Sequence, residues 1–149
     1  MSKQEEAGLI LKLYELRREE TMRKARDWYF MQFNPESVAD VMDAMMGEHS
    51  GHLRMVLSYW DMAAALVNQG AISLDMYTNT NGEQIGVFSK IEPLLVEIRR
   101  TIGPQFAVNL EKLIDSMPDG RKQTATARER MKMIREQFAA KQAKAATQA

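Results

Sequence analysis

No cysteine occurs anywhere in the 149 residues. Disulfides, thiolate zinc sites, iron–sulfur clusters and cysteine nucleophiles are therefore excluded. Long apolar runs are missing as well. A membrane-spanning helix needs about 20 mostly apolar residues, whereas the longest uncharged apolar stretch runs only from Met62 to Val67, with Asp61 just before it. The N-terminus carries Glu5 and Glu6, and its apolar run stops at Lys12, so it does not read as a secretory signal. These features lead us to expect a soluble, cytoplasmic protein. Sustained polar–apolar alternation and runs of β-branched residues, the marks of strands, are nearly absent. Prolines number four and glycines eight, and they fall mainly where helices should start or stop.

Net charge is also lacking, because 20 Lys and Arg balance 20 Asp and Glu. The balance is uneven along the chain. Residues 1–33 hold seven basic and six acidic side chains, residues 34–115 hold five and eleven, and residues 116–149 hold eight and three. Such asymmetry marks either an interaction tail or a basic helix resting on its own acidic body.

What is present reads almost entirely as helix. A first helix is expected over Lys3–Phe33, with Leu9, Leu13 and Leu16 on one face and Glu19–Arg23 and Glu20–Lys24 as i,i+4 pairs in its charged middle. It ends in the densest aromatic cluster, Trp28, Tyr29, Phe30 and Phe33. Asn34 and Pro35 suit the start of a short second helix, which Gly47 closes. A third helix, starting at His49 or His52, should reach Gln69, with Gly70 as its left-handed stop. Ser73 can cap a short turn through Tyr77. A further helix should run from Glu83 to Ile102, broken or kinked near Ser89 or Lys90 because Pro93 lacks a backbone donor. Gly103 and Pro104 separate it from a helix carrying Phe106, Leu110, Leu113 and Met117. From about Thr126 a last helix carries a narrow apolar stripe of Met131, Ile134 and Phe138. The expected fold is an all-α irregular bundle of five to six helices over residues 1–120. A basic amphipathic tail over 121–149 follows, fraying after about residue 139.

Candidate chemistry is sparse. Glu48, His49 and His52 could share a metal ion, since imidazole is a common ligand and residues four apart share a helix face. Their spacing matches neither Glu-x-x-His nor His-Glu-x-x-His, and Gly47 and Gly51 suggest a helix junction. Twelve methionines could form a copper-handling surface, but Met42, Met45, Met46, Met55, Met62 and Met117 fall where core residues are expected. The paired carboxylates Glu5/Glu6, Glu19/Glu20 and Asp40/Asp43 sit on polar helix faces. Asp61, beside an apolar run, suggests a structural ion pair with Arg99. No phosphate-binding glycine pattern and no nucleophile triad can be assigned.

Several stretches taken together carry a resemblance. Residues 13–26, LYELRREETMRKAR, lead through NPESV at 34–38 and LSYWDMAAALVNQGAISLDM at 57–76 to FSKIEPLLVEIRR at 88–100. This order resembles a family of small helical bacterial proteins known as domain of unknown function 4760. Trp60, Asp61, Gly70, Ile72, Pro93 and Arg99 match its packing positions. The resemblance implies a helical fold and supplies no reaction or ligand. Some members are anchored in a membrane at the N-terminus, by a segment this sequence lacks.

Three functions follow as expectations. The first is a non-enzymatic protein–protein interaction or structural module, open to homodimerisation, with no cofactor and no small-molecule ligand. Its contact residues would be Trp28, Tyr29, Phe30 and Phe33 at the aromatic end and Arg128, Lys132 and Arg135 on the tail. The second is nucleic-acid binding through the basic tail. The third is a metal-dependent helical-bundle enzyme using Glu48, His49 and His52.

Overall fold

The computed structural model describes residues 2–148, and among these every regular element is helical. Nine α-helices follow one another: α1 (Lys3–Arg17), α2 (Glu20–Met31), α3 (Val38–Met46), α4 (Ser50–Asn68), α5 (Leu74–Thr80), α6 (Glu83–Ile91), α7 (Leu95–Ile102), α8 (Val108–Ser116) and α9 (Gly120–Thr147). A single 3-10 turn, Glu92–Leu94, joins α6 to α7. The all-α expectation holds, but the expected five to six helices were too few.

Much of the difference comes from two breaks. Lys3–Phe33 divides at Arg18 and Glu19, because Glu19 leaves the helical conformation and its carboxylate accepts a hydrogen bond from the Met22 N–H at 3.2 Å. It acts as an N-cap for α2, which satisfies one of the orphan donors of a helix start. The expected Glu19–Arg23 pair is thereby given up, while Glu20 and Lys24 do meet at 3.3 Å. The break is held from outside by Glu83. Its carboxylate accepts from Nε and Nη2 of Arg26 of α2 in three contacts of 2.9–3.1 Å, and lies 3.7 Å from Arg17 of α1.

The second break is the work of Pro93. The helix does not yield at Ser89 or Lys90 as expected. It tightens into the 3-10 turn at Glu92 and then resumes. Proline at position 93 cannot bond the carbonyl four residues back, which is that of Ser89. Arg128 of α9 fills the vacancy, donating from Nε to the Ser89 oxygen at 2.9 Å.

Helix α4 is the axis of the core. Leu53, Val56, Trp60, Ala63 and Ala64 are buried along it, with α2 on one side, α8 on the other and α3 beside them. Its end forms the expected stop in full. Gly70 has φ of 84°, the Ala71 N–H donates to the Leu66 carbonyl at 2.9 Å, and the Gly70 N–H donates to the Val67 carbonyl at 3.0 Å. This is the paired pattern that closes a helix on a left-handed glycine. His49 stands at the N-cap position of α4.

Other details depart from the sequence reading. Ile10 and Leu13, not Leu9 and Leu16, are the buried positions of α1. Ser37, not Asn34, caps α3, accepting from the Asp40 N–H. Met46 and Met62 are exposed, because they lie on the outer faces of α3 and α4, whereas Met117 is buried. The last helix starts at Gly120, not at Thr126, and continues past Ala139 to Thr147. Its final turns are rich in Ala, Lys and Gln, strong helix formers that need no packing to favour this conformation.

Gly120 sits where α9 leaves α8. A Cβ built there would lie 1.9 Å from the Ile114 carbonyl oxygen, whereas one built on Gly8, in exposed α1, would meet nothing within 4 Å. Gly120→Ala should therefore lower stability by about 3 kcal/mol, the upper end for overpacking. Gly8→Ala should raise it by about 0.8–1 kcal/mol through helix propensity. Urea denaturation of both variants measures this, and equal midpoints would refute the close approach.

Candidate interaction surface

Helix α9 is fastened to the body over its first three turns and free of it afterwards. Gly120 and Thr124 are buried, Ala127, Arg128 and Met131 are half-buried, and every described residue from Lys132 onwards is exposed. The fastening is ionic. Arg121 reaches Glu92 at 2.8 Å, Glu111 at 2.9 Å and Asp115 at 2.6 Å, and lies over the Phe88 ring. Thr124 donates to Glu92 at 2.8 Å, and Arg128 donates to Glu92 as well as to the Ser89 carbonyl. Burial raises the pKa of Glu92 and Glu111, but the hydrogen bonds from Arg121 and its neighbours outweigh that and hold both below the usual range. For Asp115 the Arg121 bond itself is the dominant cause. Only the start of α9, through Arg121 and Arg128, thus rests on carboxylates of the body.

Two hollows flank the free part of α9. The first is an apolar groove of about 340 Å³ between the end of α2 and α9. Phe30 and Met31 form one wall, and Met131, Ile134 and Phe138 form the other. The α9 residues recur at three and four positions, so they share one helix face. Met31 is 67% exposed, Ile134 57% and Phe138 53%, values that leave large apolar side chains open to solvent. The second hollow is a cleft of about 370 Å³ where the α2–α3 loop, the end of α6 and α9 converge. Lys90, Arg128, Lys132 and Arg135 line it together with Glu36 and Glu129, and it shares Met131 and Arg135 with the groove.

At the floor of the cleft lies Lys90, only 7% exposed. Its three N–H groups are shared among four acceptors within hydrogen-bond distance: the carbonyls of Tyr29 at 2.8 Å, Phe30 at 3.1 Å and Phe33 at 2.7 Å, and Asn34 Oδ1 at 3.0 Å. The carbonyls of Tyr29 and Phe30 belong to the last turn of α2, where intrahelical partners run out. Lys90 therefore caps α2 from another helix, a favourable place for a cation at the negative end of the helix dipole. Burial, seconded by repulsion from Arg135, pushes its pKa down to about 7 against the pull of the four oxygens. Sequence reading missed Lys90 as a site residue. The available signal was its position three residues after Val87, on the buried side of α6.

The residues singled out in the sequence go to different places. Trp28, Tyr29 and Phe33 are core side chains, so the aromatic cluster is not the open apolar end that was expected. Trp28 stacks on Phe33 at 5.2 Å, and the Tyr29 hydroxyl donates to the Val87 carbonyl at 2.6 Å. Of the four aromatics, Phe30 alone reaches the groove. Arg128 is spent on Glu92 and Ser89, whereas Lys132 and Arg135 line the cleft.

His49 lies stacked against Trp28 at 5.2 Å and against His52 at 5.6 Å. Glu48 points outward, 88% exposed, and stands 3.7 Å from His49 Nε2. Among the described residues no three His, Asp or Glu side chains gather closely enough to hold a metal ion. The expected Asp61–Arg99 pair is not made. Asp61 instead accepts from the Leu110 N–H at 2.9 Å and from Asn109 Nδ2 at 3.0 Å, capping α8 from α4. Arg99 binds Glu111 at 2.8 Å and the Phe106 carbonyl at 2.9 Å. Both residues brace the start of α8, which has no side-chain cap of its own because Ala107 precedes it.

The Lys90 clasp yields a pH prediction. Unfolded, the side chain loses its proton near 10.5; folded, near 7. Between those values the unfolded chain binds the extra proton, so stability should rise with pH across the window. Lys90→Met should lose that slope between about pH 7 and 9.5. It should also cost about 1–3 kcal/mol by stranding carbonyls. Denaturant midpoints across pH check this, and parallel profiles for the two proteins would refute it.

No helix of the described residues is long and apolar enough to cross a membrane. Neither the curated proteins nor the solved structures contain a match to this chain. A family model does match, over residues 4–117, which takes in α1 to α8 and stops short of α9. With so much of its length matched, the chain belongs to the family described as Domain of unknown function (DUF4760).

Proposed function

We propose that the chain is a non-enzymatic helical interaction module that receives a protein partner on the free half of α9 and the adjoining end of α2. The observation that carries this reading is the groove between Phe30, Met31, Ile134 and Phe138, where large apolar side chains stand open on a surface otherwise rich in charge. Contiguous exposed apolar surface rimmed by polar groups marks a contact site. An amphipathic helix laid into such a groove is a recurrent mode of peptide recognition, read through anchors at i, i+3, i+4 and i+7.

The construction of α9 supports the same reading. Its first turns spend Arg121, Thr124 and Arg128 on fixing the helix, so the exposed face beyond Met131 is presented by a rigid support. A rigid support lowers the ordering cost of binding.

The test uses a labelled amphipathic helical peptide of about four turns with a leucine stripe. It should bind, and Ile134→Asp with Phe138→Asp should weaken binding at least about tenfold, or 1.4 kcal/mol. The doubly substituted protein should keep its stability within about 0.5 kcal/mol per exposed site. Fluorescence anisotropy and thermal melting read the two quantities. Binding that survives both substitutions would overturn the proposal. Light scattering showing a dimer well above 17.0 kDa that dissolves in the double variant would make a second copy the partner.

A further inference from the structure

Groove and cleft are continuous, and their chemistry differs. The groove is apolar, and the cleft beside it is cationic. They meet at Met131 and Arg135, so an occupant long enough to fill the groove also reaches the cleft. Resting on the interaction reading above, we propose that the natural occupant is an acidic amphipathic helix, its apolar stripe in the groove and its carboxylates over the cleft against Lys132 and Arg135.

Charge decides between the possible occupants. From Arg128 to Thr147, α9 carries Arg128, Arg130, Lys132, Arg135, Lys141 and Lys144 against Glu129 and Glu136. The ion pairs that tie α9 to the body run through Arg121 and Arg128, leaving Lys132 and Arg135 outside them. Below them, the Lys90 ammonium is held by three carbonyls and an amide oxygen, with no carboxylate among its four partners. Burial lowers its pKa to about 7, so at neutral pH it adds only part of a positive charge to the cleft. Glu36 and Glu129 also line the cleft and offset part of its charge, so the excess of positive charge lies along the exposed face of α9, through Arg130, Lys132, Arg135, Lys141 and Lys144. A second α9 laid antiparallel into the groove would bring like charges together, which disfavours association. A helix of opposite charge gains from the same field.

Position refines the partner. The cationic cleft is lined by Arg128, Lys132 and Arg135, while the apolar groove extends on to Gln142. The cationic side chains of the cleft therefore lie towards the start of the free segment, and Lys141 and Lys144 follow near its end. Acidic residues of the partner should be densest at the end of its apolar stripe that meets the cleft.

Three versions of the leucine-stripe peptide test the inference, with glutamate, glutamine or lysine at the flanking positions. The glutamate peptide should bind at least about tenfold more tightly than the glutamine one. That advantage should shrink as salt is raised from about 0.05 to 0.5 M, where screening is strong. Lys132→Glu with Arg135→Glu should reverse the preference, so that the lysine peptide binds best. These two side chains are exposed, and the variant should melt like the parent, which separates a lost contact from a lost fold. Equal binding of glutamate and glutamine peptides would overturn the acidic partner while leaving the groove as an interaction site. Failure of all three peptides would overturn the interaction reading itself. Two controls give the remaining outcomes: a random-sequence DNA duplex and phosphatidylglycerol–phosphatidylcholine vesicles. Tighter binding of either than of the glutamate peptide, abolished by the same two substitutions, would overturn the proposal in favour of a nucleic acid or a lipid surface.

Discussion

The carboxylate of Glu92 holds the last helix to the rest of the molecule. Arg121, Thr124 and Arg128 all converge on it, and Arg121 carries the contact on to Glu111 and Asp115. Single ion pairs on a surface contribute little, because solvent and side-chain entropy offset the attraction. A shared network is different: each further pair finds its partner already ordered. Here Glu92 is less exposed than the arginines around it, and its hydrogen bonds outweigh the burial that would otherwise raise its pKa. One wall of the groove belongs to α9, so its shape depends on the seating that this network, together with the buried Gly120 and Thr124, fixes.

Three neighbouring positions make this possible. Pro93 stops α6 from continuing and strands the Ser89 carbonyl, which Arg128 takes up. Glu92, in the 3-10 turn so created, faces α9. Lys90 turns the other way and grips the last carbonyls of α2. A short segment between Ser89 and Pro93 thus joins the body's two groove-bearing elements, α2 and α9, although they lie far apart in sequence. Its side chains form the floor of the cleft at the same time. The stability of the scaffold and the charge of the cleft depend on the same residues.

Helix was legible in the sequence because apolar spacing and the glycine and proline punctuation agreed at most boundaries. Gly70, Gly103 and Ser73 stand where they were expected to act. The break at Glu19 was not legible. A glutamate inside a charged helical run carries no stop signal, and only Glu83, distant in sequence, makes the bend favourable through Arg17 and Arg26. Asp61 and Arg99 were expected to pair with each other, and each has other partners. Charge pairing is decided by which helix ends need caps, and the bare start of α8 at Ala107 took Asp61. The candidate site divides in the same way. The stripe of Met131, Ile134 and Phe138 could be read from spacing, and so could the basic tail. The aromatic wall could not be assigned, because Trp28, Tyr29 and Phe33 point inward and leave the surface to Phe30 and Met31.

Burial of Lys90 is the feature that a sequence hides best and a partner would feel most. Lysine is seldom fully buried unless its charge is met, and here it is met by neutral oxygens. Carbonyl dipoles solvate a cation without cancelling it, but burial brings the pKa down to about 7, so the ammonium and its field are fully present only below neutral pH. Arg135 lies near enough to feel it, which is the electrostatic contribution to the lowered Lys90 pKa. Arg135 is exposed and is not fixed by packing, so this repulsion acts on the titration of Lys90 and stores no strain in the scaffold. The family match ends at residue 117, before α9 begins, so the body is the shared element and the helix that completes groove and cleft lies outside it. Lys90 and Glu92 lie within the matched span, whereas Ile134, Phe138, Lys132 and Arg135 lie beyond it, so groove and cleft are each built from both parts of the chain.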